Sequence, residues 1–160
     1  MKTLADINPQ HLAQLLIKFG INLCPVSAED NIPGSYWGAP EAGIIGNQLY
    51  VRPDTPIHSA LHESCHYICM DESRRSTLHT DTGGDYDEEN AVCFLQIVLA
   101  RYIEGTDPNA LCTDMDEWGY TFRLGSANKW FVEDAEDAFN WLQAAKILDS
   151  TKQPTWKIRH

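Results

Sequence analysis

The sequence predicts an α+β fold in which a small antiparallel sheet packs on a helical bundle. Three observations lead there. The short β-type runs fall in the first third of the chain and the long helical runs in the rest, an order that separates strands from helices. Residues 44–52 contain two apolar runs around Gly46-Asn47, the signature of a tight hairpin. Residues 55–71, 87–104 and 127–148 each carry apolar positions at helical spacing.

The elements follow in order. Asn8-Pro9 caps a first helix that runs through Phe19, where Gly20 stops it. Leu12, Leu15, Leu16 and Phe19 form its buried stripe. Ile21 to Val26 reads as a strand. Residues 29–43 are rich in Gly and Pro and read as a loop, with a short strand around Tyr36-Trp37. After the hairpin, Thr55 serves as an N-cap with Pro56 at the first helical position. The polar, Gly-containing stretch from Asp71 to Gly84 reads as a surface loop. Gly105-Thr106-Asp107-Pro108 ends the second long helix, Thr113 caps a short one to about Leu124, and Gly125 stops it. A last helix spans 127–148. The expected organisation is one domain over residues 1–150 and a loosely held tail over 151–160.

The most informative residues lie on the helix that starts at Thr55. His62-Glu63-Ser64-Cys65-His66 is a His-Glu-x-x-His motif. Residues four apart share a helix face, so both imidazoles can grip one metal ion. Glu63 lies about 100° further round, within reach of a water on that metal but poorly placed to be a ligand. Two neutral imidazoles leave a zinc ion strongly Lewis acidic, and the carboxylate can take a proton from its water. The bare pattern also arises by chance on polar helix faces. Here Ile57, Ala60, Leu61, Cys65, Ile68 and Cys69 supply the apolar stripe of a half-buried helix, which is the context the motif needs.

Such a site needs a third protein ligand, and the acidic start of the stretch from Asp85 to Ala100 is the place for it. Stepping from Glu88 reaches Ala91, Val92, Leu95 and Leu99, an apolar row. Stepping from Glu89 reaches Cys93, Gln96 and Ala100, a more polar one. A carboxylate aimed at a core needs a partner or a metal, so Glu88 is preferred, with Glu89, then Asp85 and Asp87, as alternatives. His58, one turn before the motif, is read as a neighbour of the metal or a solvated residue, because His62, His66, Glu88 and water already fill a tetrahedron. Tyr36, Tyr86, His79 and Tyr120 are the candidates to stabilise a developing oxyanion.

His62, Glu63 and His66 followed by an acidic helix start resemble the gluzincin metallopeptidases, most of all the small ImmA/IrrE-type peptidases. Glu88, Ala91 and Phe94 match the spacing of that family's second metal helix, which also selects Glu88. Gly46 to Arg52 looks like the strand that enters the metal helix. The resemblance covers roughly residues 44 to 100. It implies a zincin-like fold with the metal between two helices and a zinc-dependent peptidase in which Glu63 is the general base.

Composition narrows the function classes. The chain has 23 acidic and 12 basic residues, a net charge of −11. That balance disfavours nucleic acid and anionic membranes, which need a basic surface. No run of eighteen apolar residues and no signal-like N-terminus are present, so a cytoplasmic protein is expected. Five cysteines without a Cys-x-x-Cys pair read as small buried hydrophobes, and the five tryptophans as core. The expected partner is a peptide or protein substrate, with room for a second protein that delivers it. The alternative is a catalytically silent module that keeps the metal site for regulation.

Overall fold

The computed structural model describes all residues, Met1–His160. Helix α1 (Pro9–Ile17) begins as expected: Asn8 Oδ1 accepts from the Gln10 N–H, and Pro9 occupies the first turn, where no N–H is needed. It ends two residues before Phe19, and Gly20 at φ +77° turns the chain. Strand β1 (Asn22–Pro25) follows, then β2 (Gly43–Ile45) and β3 (Gln48–Val51).

The hairpin forms, with Ile45 opposite Gln48 and Gly46-Asn47 at the turn. The all-antiparallel expectation is corrected. The sheet is mixed, in the order β1-β3-β2, because β1 pairs parallel to β3. The 26–42 loop returns the chain to the side it left, so β1 and β3 run the same way. The turn itself fastens them: Asn47 Nδ2 donates to the Gly20 carbonyl, and the Asn22 N–H donates to the Asn47 carbonyl at 2.8 Å. No strand forms at Tyr36-Trp37, which is a bend with both rings exposed. The same loop closes on β2 so tightly that a Cβ at Gly43 would collide with the Pro33 carbonyl oxygen.

Helix α2 (Ile57–Cys69) carries the motif. It starts one residue later than expected. Thr55 does not cap it. Its Oγ1 accepts from the Arg52 N–H and closes the preceding turn, while the Ile57 N–H donates to the Lys2 carbonyl. The expected loop after α2 contains a short helix, α3 (Glu72–Arg75), capped by Asp71.

Helix α4 (Tyr86–Leu99) is the axis of the molecule. Asp85 caps it, and every residue from Ala91 to Leu99 is buried. It packs against α2 on one side and α7 on another. Helix α5 (Pro108–Trp118) uses Asp107 as its cap, with the Ala110 N–H donating at 2.8 Å. Asp107-Pro108 therefore starts a helix that the sequence reading placed at Thr113. Thr113 lies inside it, its hydroxyl donating back to the Asn109 carbonyl. Gly119 at φ 113° ends the helix in the left-handed conformation that glycine adopts freely.

The expected helix over 127–148 is two helices, α6 (Ala127–Glu133) and α7 (Glu136–Ala144). Asp134 and Ala135 leave helical φ/ψ between them. The elbow wraps Phe94 of α4, whose ring lies 4.6 Å from that of Phe131 and 6.3 Å from that of Phe139. The expected loose tail is also corrected. The Thr155 N–H donates to the Ile147 carbonyl, and the Arg159 N–H to the Ile68 carbonyl at the end of α2. One continuous apolar core of 38 residues, from Leu4 to Leu148, underlies all these elements. No helix is long and apolar enough to cross a membrane. The result is an α+β architecture in which helices dominate and α2 crosses α4 beside the small sheet.

Candidate metal centre

The crossing of α2 and α4 sets the site. His62 and His66, one turn apart on α2, face α4 with their Nε2 atoms 3.2 Å from each other. Glu89 meets them both: Oε1 lies 3.0 Å from His62 Nε2, and Oε2 lies 3.1 Å from His66 Nε2. One donor atom from each of these three side chains lies within 4.8 Å of the others.

Glu88, the expected third ligand, is elsewhere. Its carboxylate is 4% exposed and takes Arg74 Nη2 at 2.5 Å on one oxygen and Arg159 Nη1 at 3.1 Å on the other. Glu89, not Glu88, stands beside the two histidines, because two arginines already meet the inward carboxylate's need for a partner. Arg74 comes from α3, and Arg159 from the tail expected to be loose. The packing around Glu88 is close enough that a Cβ on Gly84 would collide with Oε2.

The donor set, two imidazoles and a carboxylate, is of a kind that zinc accepts. Four-coordinate zinc with bonds of about 2.0 Å has neighbouring donors about 3.3 Å apart. The two imidazole nitrogens, 3.2 Å apart, match that spacing, while Glu89 meets them with different oxygens, at 3.0 and 3.1 Å. Without an ion the same contacts are proton-sharing ones. Burial works against ionised Glu89, but hydrogen bonds from His62 and His66 outweigh it and hold the carboxyl well below the usual range. Burial likewise opposes a charge on His62, yet the Glu89 carboxylate against its Nε2 and the polar groups around the ring raise its pKa well above the ordinary value. The site is an anionic seat for positive charge, whether protons or a cation.

Glu63 follows His62 and lines the same cleft, a space of about 690 Å³. Burial raises its carboxyl pKa, against the pull of the two histidines. Among the oxyanion candidates, Tyr120 and Tyr36 line this cleft, and Tyr86 lines a different one. His79 bonds to its neighbour, with Nδ1 and Thr80 Oγ1 2.9 Å apart. Tyr120 is the candidate beside the motif: its ring is 5.5 Å from that of His62, and burial pushes its phenol up to about 12. His58 is neither ligand nor solvated. It is 1% exposed, its Nδ1 is 3.1 Å from the Tyr120 hydroxyl, and burial lowers its pKa to about 4.

The sequence reading missed Gln96. This fully buried amide lies two turns beyond Glu89 on the same side of α4. Its Oε1 is 2.7 Å from His62 Nδ1, and its Nε2 donates to the His58 carbonyl at 3.1 Å. The signal was available in the polar row Glu89, Cys93, Gln96. A glutamine in a helix otherwise buried by apolar residues must find partners, and only another polar group can supply them.

The strand that leads into α2, β3, has no free edge for an extended peptide, because β1 and β2 flank it. The outer side of β2 is occupied where the Thr80 N–H donates to the Ile44 carbonyl and the Gly46 N–H to the Leu78 carbonyl. Thr80 to Gly84 then continue as a wall of the cleft. Of the five tryptophans, Trp130 is core, whereas Trp37 is 78% exposed at the cleft mouth, and Trp118 donates its Nε1–H to Glu41. Four of the five cysteines, Cys65, Cys69, Cys93 and Cys112, are buried free thiols as expected, whereas Cys24 is half-buried on β1.

No protein-family model, curated protein or solved structure matches the chain.

Proposed function

We propose that the protein is a zinc-dependent peptidase with a zincin-like metal helix, in which His62, His66 and Glu89 hold the ion and Glu63 is the general base. The observation that carries this reading is the placement of two imidazole nitrogens and one carboxylate within 4.8 Å of one another, with Glu63 on the wall of the same cleft. The His-Glu-x-x-His motif is similar to that of the ImmA/IrrE-type peptidases, although the spacing of their second metal helix would put the acidic ligand at Glu88 and not at Glu89. Two nitrogens and a carboxylate also suit iron. The adjacent-turn histidines with a carboxylate beside them favour zinc.

A zinc ion bound here would supply Lewis acidity, lowering the pKa of a coordinated water and polarising a scissile carbonyl. The chain supplies the rest. Glu63 accepts a proton from the attacking water and passes it to the leaving amine. Its partial burial suits both roles, because a raised carboxyl pKa brings it closer to working pH. Tyr120 keeps its proton at neutral pH and presents a hydroxyl to the cleft, as a donor to a developing oxyanion requires. Because the β2 edge is covered, an extended substrate would have to be held by the cleft walls instead of by strand addition.

The test is Glu63→Gln on zinc-loaded protein, with cleavage of a mixed peptide library read by mass spectrometry. The variant is expected to keep its zinc and lose turnover by about two to four orders of magnitude, the usual contribution of general-base catalysis. Turnover equal to that of the unaltered protein contradicts the mechanism. A zinc-loaded protein that neither cleaves nor binds a hydroxamate would instead be a silent metal-binding module.

A further inference from the structure

Gln96 has a place in this site that its residue type does not announce. It is 0% exposed, in the last turn of α4, and both ends of its amide reach the same neighbouring helix. The two ends are chemically distinct, and the contacts decide which is which. The His58 carbonyl can only accept, so the amide nitrogen must face it. The amide oxygen then faces His62 Nδ1 at 2.7 Å, and an oxygen can only accept. His62 Nδ1 must therefore carry a proton. Nε2 is left as the atom that faces His66 and Glu89.

We infer that Gln96 is a positioning residue that fixes the tautomer and ring orientation of His62, so that the Nε2 lone pair is directed at the point shared with His66 and Glu89. The inference rests on the metal-site reading given above. Gln96 touches neither substrate nor ion in this scheme; it acts through His62. Its second bond, to the His58 carbonyl, registers the amide against the first turn of α2, so the imidazole is held relative to the backbone that carries it. His66 has no such partner: its Nδ1 is buried without a hydrogen bond. The pair is therefore asymmetric: the far nitrogen of one imidazole is pinned, and that of the other is surrounded by packing alone. Hydrogen bonds of this kind to the far nitrogen of a ligand histidine typically account for 10–100-fold in metal affinity.

Two substitutions separate positioning from ordinary structural support. Gln96→Met keeps length and burial but removes both hydrogen bonds. Gln96→Glu removes the donor to the His58 carbonyl but keeps an acceptor for His62 Nδ1–H. Zinc dissociation constants of the two variants and the unaltered protein are measured by chelator competition, beside thermal melting of each metal-free form. The expected result is a loss of about 10–100-fold for Gln96→Met, with Gln96→Glu recovering most of the affinity. Equal losses in both would mean that the helix-to-helix tie alone matters and would overturn the inference, as would unchanged affinity in Gln96→Met. A third readout does not depend on metal. NMR of histidine-15N-labelled, metal-free protein should show a protected Nδ1–H proton on His62 that disappears in Gln96→Met. Its absence from the unaltered protein overturns the inference. If the unaltered protein binds no divalent metal, the site reading falls on its own, and this proton still decides whether Gln96 accepts from His62 Nδ1.

Discussion

The carboxylates of Glu88 and Glu89 leave α4 about 100° apart and meet different partners. Glu88 is enclosed between Arg74 and Arg159, and Glu89 faces the two histidines. Their roles should separate under substitution. Glu88→Gln removes the charge that both guanidinium groups address and is expected to cost roughly 2–3 kcal/mol in denaturant unfolding, less than a fully buried pair because the arginines reach solvent. Its zinc content should be unchanged. A variant as stable as the unaltered protein would show that the two arginines contribute nothing through Glu88. At this scale the sequence was legible where spacing alone decides geometry: His62, Glu63 and His66 fall where a helix puts them. It was not legible at Glu88, because the reasoning that an inward carboxylate needs a partner was sound but did not name the partner. One arginine lies 14 residues before Glu88 and the other 71 after it, and no local pattern connects them.

Helix α4 explains that ambiguity at the next scale. A facing argument works for a helix with one apolar side, and α4 is buried on nearly every side by α2, α5 and α7. Both acidic rows point into protein, so apolar content cannot rank them. Local caps were legible at Asn8-Pro9 and in the acidic run at Asp85, but not at Asp107-Pro108, whose turn-forming neighbours made it read as a helix end. The break between α6 and α7 was not, since it is set by the need to pack aromatic residues around Phe94. Phe94 is 1% exposed and joins α4 to both arms of that elbow. Phe94→Ala should cost about 3–5 kcal/mol, seen as a lowered denaturation midpoint. A loss below about 1 kcal/mol would mean that the elbow collapses to fill the space, and the helix break would need another cause.

Across the whole molecule, acidity and the cleft belong together. The chain's net charge is −11, and the cleft is lined by Glu41, Glu63 and Asp81 without a single Lys or Arg. The exposed pair Tyr36 and Trp37, in edge-to-face contact at 5.0 Å, stands at its mouth. Carboxylates beside exposed rings favour a cationic side chain, through both Coulomb attraction and the ring faces. A lysine-rich peptide should therefore bind the Glu63→Gln protein at least several-fold more tightly than a glutamate-rich peptide of equal length, measured by tryptophan fluorescence. Raising salt from 0.05 to about 0.5 M should shrink the difference. Equal binding of the two peptides would show that charge does not select the substrate.

The central claim is the identity of the three ligands, and zinc content tests it most directly. Elemental mass spectrometry on protein purified without added metal is compared with Glu89→Ala and Glu88→Gln. The account predicts about one zinc per chain in the unaltered protein, none in Glu89→Ala and an unchanged amount in Glu88→Gln. No metal in the unaltered protein, or zinc kept by Glu89→Ala and lost by Glu88→Gln, would contradict it.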